Sequence, residues 1–238
     1  MSTELLLGII TFFTSTIAGI VGLGGGMILI AVLPSFLPVN AIVPVHGLTQ
    51  MSSNLSRAVF GWKDVKVEVI PKFLIGSILG VSFFATILYF ISLTYVPLFI
   101  GLYILFSLWS DKFNKKIERF ESYYLVGFLQ SGLSLIVGAT GPIATTLLVK
   151  DYNDKHVVVS TAAALKSITH TLKVITFIFF GFVFFDYLGI LVAMIIGAVI
   201  GSWAGTKLRD KIDGKKFILV LKILLSLMAI KLIVSLFI

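Results

Sequence analysis

Cysteine is absent from the 238 residues, which excludes disulfides, thiolate nucleophiles, thiolate-bound metals and iron–sulfur clusters. Charge is scarce as well: 13% of residues are Asp, Glu, Lys or Arg, against about a quarter in an ordinary soluble domain. Carboxylates are the rarer sign, 11 against 19 basic residues. Inside the apolar stretches only Asp186 and, near the start, Glu4 carry one, so a paired-carboxylate or His-carboxylate catalytic cluster has little to be built from. No Lys or Arg precedes Arg57. The opening apolar segment therefore lacks the basic n-region of a cleaved signal peptide and reads as part of the mature chain. What is present is hydrophobic: 58% of residues are apolar and the mean hydropathy is +1.08, beyond the range of a water-soluble domain.

A helical crossing takes about 20 apolar residues. Charge clusters and turn residues divide the chain into eight such blocks, at 4–37, 41–61, 69–91, 94–110, 123–149, 157–182, 184–206 and 217–238. They are longer than barrel strands and do not alternate polar with apolar, so an all-α polytopic membrane protein is expected, with no soluble catalytic domain. Blocks one and five are long and interrupted, by Gly22-Leu23-Gly24-Gly25-Gly26 and by Gly138-Ala139-Thr140-Gly141-Pro142. An offset of 116 superposes Val21-Gly22 on Val137-Gly138, Gly25 on Gly141, Asn54 on His170 and Arg57 on Lys173. Two repeats follow, residues 1–115 and 116–238. Interrupted segments in corresponding places of two halves point to a transporter site.

Loop charges set the orientation. If all eight blocks cross, loops 62–72 and 111–121 carry seven Lys and Arg on one side, and loops 150–156 and 207–216 carry seven on the other. That is a tie under the positive-inside rule. If blocks one and five instead enter, turn at their glycines and leave on the same side, all fourteen fall on one face. Each repeat is then one glycine-broken re-entrant hairpin plus three transmembrane helices. An odd number of crossings inverts the second repeat relative to the first, with both termini outside and the basic loops in the cytoplasm.

An unwound backbone in hydrocarbon must be covered by protein or line a water-filled cavity. The breaks at 22–26 and 138–141 are thus expected in the interior, exposing helix N-termini that favour an anion. No Lys-Ser or Lys-Thr follows either glycine run, as a P-loop would require. Block two carries His46, Gln50, Asn54 and Arg57 at helical spacing on one face; block six carries Lys166, His170 and Lys173 with Thr169 beside them. A buried cation costs about 2.5–3.5 kcal/mol at the bilayer centre. With so few carboxylates to pair them, these cations imply a mobile anionic partner. Arg57 and Lys166 are also long enough to snorkel, and His46 and His170 suit ordinary core hydrogen bonds as well as ligand contact. Gly76-x3-Gly80 and Gly197-x3-Gly201-x3-Gly205 read as close helix-packing faces.

The run Ala18-Gly19-Ile20-Val21-Gly22-Leu23-Gly24-Gly25-Gly26-Met27-Ile28, followed by Pro34 and the polar stretch Gln50 to Asn54, resembles the TauE/SafE family of sulfite exporters. Val137-Gly138-Ala139-Thr140-Gly141-Pro142 resembles the family's second repeat, with Ala139-Thr140 in place of a glycine run. The likeness spans nearly the whole chain. It implies transport of sulfite, sulfonates or related organosulfur anions, and agrees with the anion site argued from the residues.

The expectation is a secondary transporter of the cell membrane, multi-pass and without a cofactor or metal, and with no nucleic-acid partner. Its site comprises Gly24, Gly25, Thr140 and Gly141 as N–H and hydroxyl donors and Arg57, Lys166 and Lys173 as cations. Gln50, Asn54, His46 and His170 orient the anion. No ATP-binding module is visible, so a gradient drives the cycle; His46 and His170 are candidate proton carriers because imidazole titrates near neutrality. An anion channel, and more remotely an intramembrane enzyme, are the competing classes.

Overall fold

The computed structural model describes residues 2–119, 121–212 and 214–234. It is all-helical, with no strand among the described residues. Helix α1 (Thr3–Val21) starts where Ser2 Oγ accepts from the Leu5 N–H at 3.4 Å, and it ends at Gly22, whose φ of 86° ends the right-handed run. The chain restarts as α2 (Gly25–Val32). Then follow α3 (Val39–Phe60), α4 (Ile70–Phe90), α5 (Val96–Trp109) and a short α6 (Asp111–Glu118). A second broken helix follows. Helix α7 (Tyr123–Val137) stops at Gly138, φ 74°, and α8 (Pro142–Asp151) restarts with proline in its first turn. Asp154 caps α9 (Lys155–Phe179) by accepting from the His156 N–H at 2.7 Å. Helices α10 (Leu188–Leu208) and α11 (Gly214–Val234) complete the chain.

The structure differs from the sequence reading in one connection: the polar stretch 111–121 is not loop throughout but contains α6, a strongly amphipathic helix of about two turns with Lys115 and Lys116 in its last turn. Four stretches are long and apolar enough to cross a membrane, Thr3–Val21, Val67–Phe90, Lys155–Phe179 and Phe184–Leu208. Helix α3 is as long at 22 residues, but its apolar content is diluted by the polar stripe it carries.

Burial is inverted relative to a soluble protein. Leu79, Phe83, Phe179 and Phe185 are exposed, whereas Thr11, Ser15, Gln50, Arg57, Gln130 and Lys173 are buried. An apolar outside around a polar inside is what a lipid solvent selects.

Glycine faces bring helices into backbone contact. A Cβ at Gly197 or Gly201 of α10 would overlap the carbonyl oxygen of Gly8 or Phe12 in α1, and a Cβ at Gly76 or Gly80 of α4 would overlap that of Tyr124 or Phe128 in α7. In both pairs the contact register ascends together, so the helices are parallel. The contacted residues are themselves 116 apart, Gly8 with Tyr124 and Phe12 with Phe128. A hydroxyl cluster recurs in the same way. Ser53 Oγ lies 2.9 Å from Ser15 Oγ and 3.1 Å from Ser202 Oγ; Ser131 Oγ lies 2.8 Å from Ser77 Oγ and 2.9 Å from Thr169 Oγ1.

The ends of the bundle sort by contact. At one end Lys155 Nζ donates to the Arg209 carbonyl at 2.9 Å, the Lys66 N–H donates to Thr161 Oγ1 at 3.0 Å, and Tyr152 donates to Glu68 at 3.2 Å. At that same end the Tyr123 hydroxyl, at the start of α7, donates to Asp151 at the end of α8 at 2.7 Å. His156 pairs there with Asp210 at 2.9 Å and Lys150 with Glu121 at 3.9 Å. At another part of the molecule Lys231 donates to Ser35 at 3.1 Å, and Asn40 shares a hollow with Leu88, Tyr89 and Phe180.

Candidate functional site

The glycine break after α1 is held where only glycine fits. Gly24 has φ 90°, and a Cβ on Gly25 would overlap the Thr14 carbonyl oxygen and meet Ala18 Cβ at 2.9 Å. The N-terminus of α2 is thereby pressed against α1, and it receives no side-chain cap. The three N–H groups of its first turn, Gly25 to Met27, lie ahead of the first helical bond, Ile28 N–H to Gly24 O at 2.9 Å.

The polar stripe of α3 runs past this break, fully buried. His46 Nε2 lies 2.9 Å from the Gly26 carbonyl. A carbonyl can only accept, so that nitrogen carries the proton, and Nδ1 is left buried without a partner among the described residues. Asn54 Nδ2 donates to the Gln50 carbonyl at 2.7 Å, while Arg57 Nη1 donates to Asn54 Oδ1 at 3.2 Å and Nη2 to Ser53 Oγ at 3.1 Å. Arg57 Nε has no partner among the described residues. Helix α9 approaches from the opposite side. Lys166 Nζ donates to the Gly22 carbonyl at 3.0 Å and lies 3.7 Å from where a Cβ on Gly141 would sit, so one ammonium bridges the two breaks. The His46 and His170 rings meet edge to face with centroids 5.7 Å apart.

These groups enclose a cavity of about 40 Å³, room for a few waters or one small ion. Its lining includes Gly24, Gly25, His46, Gln50, Asn54, Arg57, Thr140, Gly141, Lys166 and His170, and no carboxylate. Lys173, grouped with them from its spacing, does not reach the cavity: its ammonium is bound to the Gly138 carbonyl and lies 3.3 Å from His170 Nδ1. The Thr140 hydroxyl proton, expected to face the anion, is donated to the Gln130 carbonyl at 2.8 Å.

Two residues escaped the sequence reading. Gln130 lines the cavity, its Oε1 accepting from the Ala144 N–H at 2.9 Å and its Nε2 donating to Thr169 Oγ1 at 3.2 Å. Its signal was available, an amide within an apolar block eight residues before the second break. Arg209 reads from sequence as a loop charge, yet it is 1% exposed and Nε donates to the Gly19 carbonyl at 2.9 Å. Only tertiary contact with α1 distinguishes it from its basic neighbours. Among the described residues no cluster of three His, Cys, Asp or Glu side chains could hold a metal ion.

Long apolar helices around a buried polar cavity at two helix breaks define a multi-pass membrane protein with an internal polar site. Within that class, the family model for the sulfite exporter TauE/SafE matches residues 7–232, and the chain belongs to that family of transporters. No curated protein and no solved structure matches the chain.

Proposed function

We propose that the protein is a secondary transporter that moves one small anion, sulfite or an organosulfonate, across the cytoplasmic membrane by alternating access to the cavity between the glycine breaks. The observation that carries this reading is the cavity's charge. Arg57 and Lys166 line it, the free N-terminus of α2 points at it, and no carboxylate is there to neutralise them. Such cations are costly in a bilayer, and an anion held by charge-assisted hydrogen bonds and the helix dipole offsets that cost. Gly24 and Gly25 supply N–H donors, Arg57 and Lys166 charge, and His46, Gln50, Asn54 and His170 orientation; Thr140 and Gly141 shape the second wall.

Two inverted repeats, residues 1–115 and 116–238, fit the same reading. Val21 and Val137 end the first helices of the halves, and Val39 and Lys155 begin the corresponding later ones, each pair 116 apart. The hydrogen bond from Tyr123 to Asp151 joins the outer ends of α7 and α8, which supports a hairpin that leaves where it entered. The contacts joining 62–72, 150–156 and 207–210 support one cytoplasmic basic face. His46 or His170 carries the coupling proton.

Counterflow in proteoliposomes tests the function. Internal unlabelled sulfite should drive uptake of labelled sulfite, saturably, with small carboxylates competing poorly. Flux that neither saturates nor exchanges would indicate a channel instead, and no flux of any oxyanion would overturn the reading.

A further inference from the structure

The two breaks are alike in sequence but not in what their helix N-termini have left to offer. At α8, Pro142 has no N–H, the Ile143 N–H is 3.3 Å from the Thr140 carbonyl, and the Ala144 N–H donates to Gln130 Oε1 at 2.9 Å. The amide of Gln130 is fixed at its other end by donation to Thr169 Oγ1 at 3.2 Å, and its residue is fully buried. This end of the cavity already has its acceptor, supplied by the protein. At α2 the corresponding position, 116 residues before Gln130, is Thr14. Its side chain is too short to reach across a turn, and its hydroxyl is turned back onto the Thr11 carbonyl at 3.2 Å. Among the described residues the first turn of α2 receives no side-chain cap, which leaves its N–H groups available to a ligand.

A helix N-terminus alone does not make a site. Here Arg57, a buried side chain that lines the same cavity, also keeps an unpartnered donor, its Nε, among the described residues. Resting on the proposed transport function, we infer that a single small oxyanion seats on the α2 end of the cavity, against the Gly25 to Met27 N–H groups with Arg57 and Lys166 on its flanks, and that Gln130 acts as a built-in stopper which keeps it off the α8 end. Gln130 is then a positioning residue: its carboxamide oxygen occupies the place an anion's oxygen would take at the second helix. The asymmetry gives an otherwise duplicated site one seat. A cavity of about 40 Å³ has no room for two mutually repelling anions in any case.

Selenite is a suitable probe, being a pyramidal oxyanion like sulfite with an anomalous scatterer at its centre, and the chain has no cysteine for it to oxidise. The full-length protein, crystallised in lipid with selenite, should show one selenium peak within about 4 Å of the Gly25 and Gly26 nitrogens, the span of a hydrogen bond and a Se–O bond meeting at a bent angle on oxygen, and none beside Ala144. In Gln130→Ala, which uncovers the Ala144 N–H, the peak should divide between the two ends. A wild-type peak beside Ala144, or equal peaks at both ends, overturns the inference without touching the transport reading. An undivided α2 peak in Gln130→Ala overturns the stopper role of Gln130. If that variant does not fold, the wild-type peak still decides which end is used. Sulfite counterflow measured on the same preparation keeps the two apart: selenite absent from the cavity of a protein that exchanges sulfite overturns the seat, and absence of both overturns the transport reading itself.

Discussion

At the scale of single residues, the cations of the bundle separate by what holds them. Arg57 keeps a free Nε and lines the cavity, while Lys166 spans the breaks; Lys173 is spent on the Gly138 carbonyl outside the cavity. Hydrogen bonds to charged groups contribute about 1.5–3 kcal/mol each, so Arg57→Gln and Lys166→Met should each weaken sulfite binding about tenfold or more in equilibrium titration. Lys173→Met should leave affinity within about threefold and act on stability instead, since it removes a buried charge together with the hydrogen bond to Gly138. Equal losses in all three would show that affinity follows the summed charge of the bundle rather than contact. His170 is the ionisable counterpart of Asn54 in the other half. If it carries the coupling proton, sulfite-driven proton movement should be present in wild-type liposomes and absent in His170→Gln; equal movement in both would exclude it.

At the scale of elements, glycine determines how near two helices come. Gly201 of α10 packs on the Phe12 carbonyl and Gly80 of α4 on that of Phe128, so Gly201→Leu would force α1 and α10 apart. Overpacking of a close contact costs about 1–3 kcal/mol, and a lowered melting temperature is expected, measured by thermal unfolding in detergent. Gly25→Val tests the first break differently. Its Cβ would overlap the Thr14 carbonyl oxygen, so α2 would be displaced from α1 and its N–H groups from the cavity. Binding should fall more steeply than stability. A Gly25→Val protein that binds sulfite normally would place the anion away from α2.

At the scale of the whole molecule, the basic loops form one face only if the broken helices turn back. Because the chain lacks cysteine, Lys116→Cys and Lys215→Cys can be labelled singly in intact vesicles, and both should react from the same side. Opposite-side labelling would rule out the re-entrant arrangement. The sequence alone determined the helical class, the bilayer as solvent, the two breaks and the polar faces of α3 and α9, because hydropathy over about 20 residues and helical periodicity are local properties that any partner must accommodate. It also carried the 116-residue echo, since Val21-Gly22 and Val137-Gly138 open the two breaks and Gly25 and Gly141 follow at the same offset. It did not reveal that α6 is helical, because a short polar helix has no apolar period long enough to read. Tertiary structure alone decided which polar groups remain available. Thr140 and Lys173 have suitable chemistry and spacing but are consumed by the Gln130 and Gly138 carbonyls, and Arg209 is drawn from a loop onto Gly19. Whether a donor faces a cavity or a neighbouring carbonyl depends on the packing of helices distant in sequence, and no single segment encodes that.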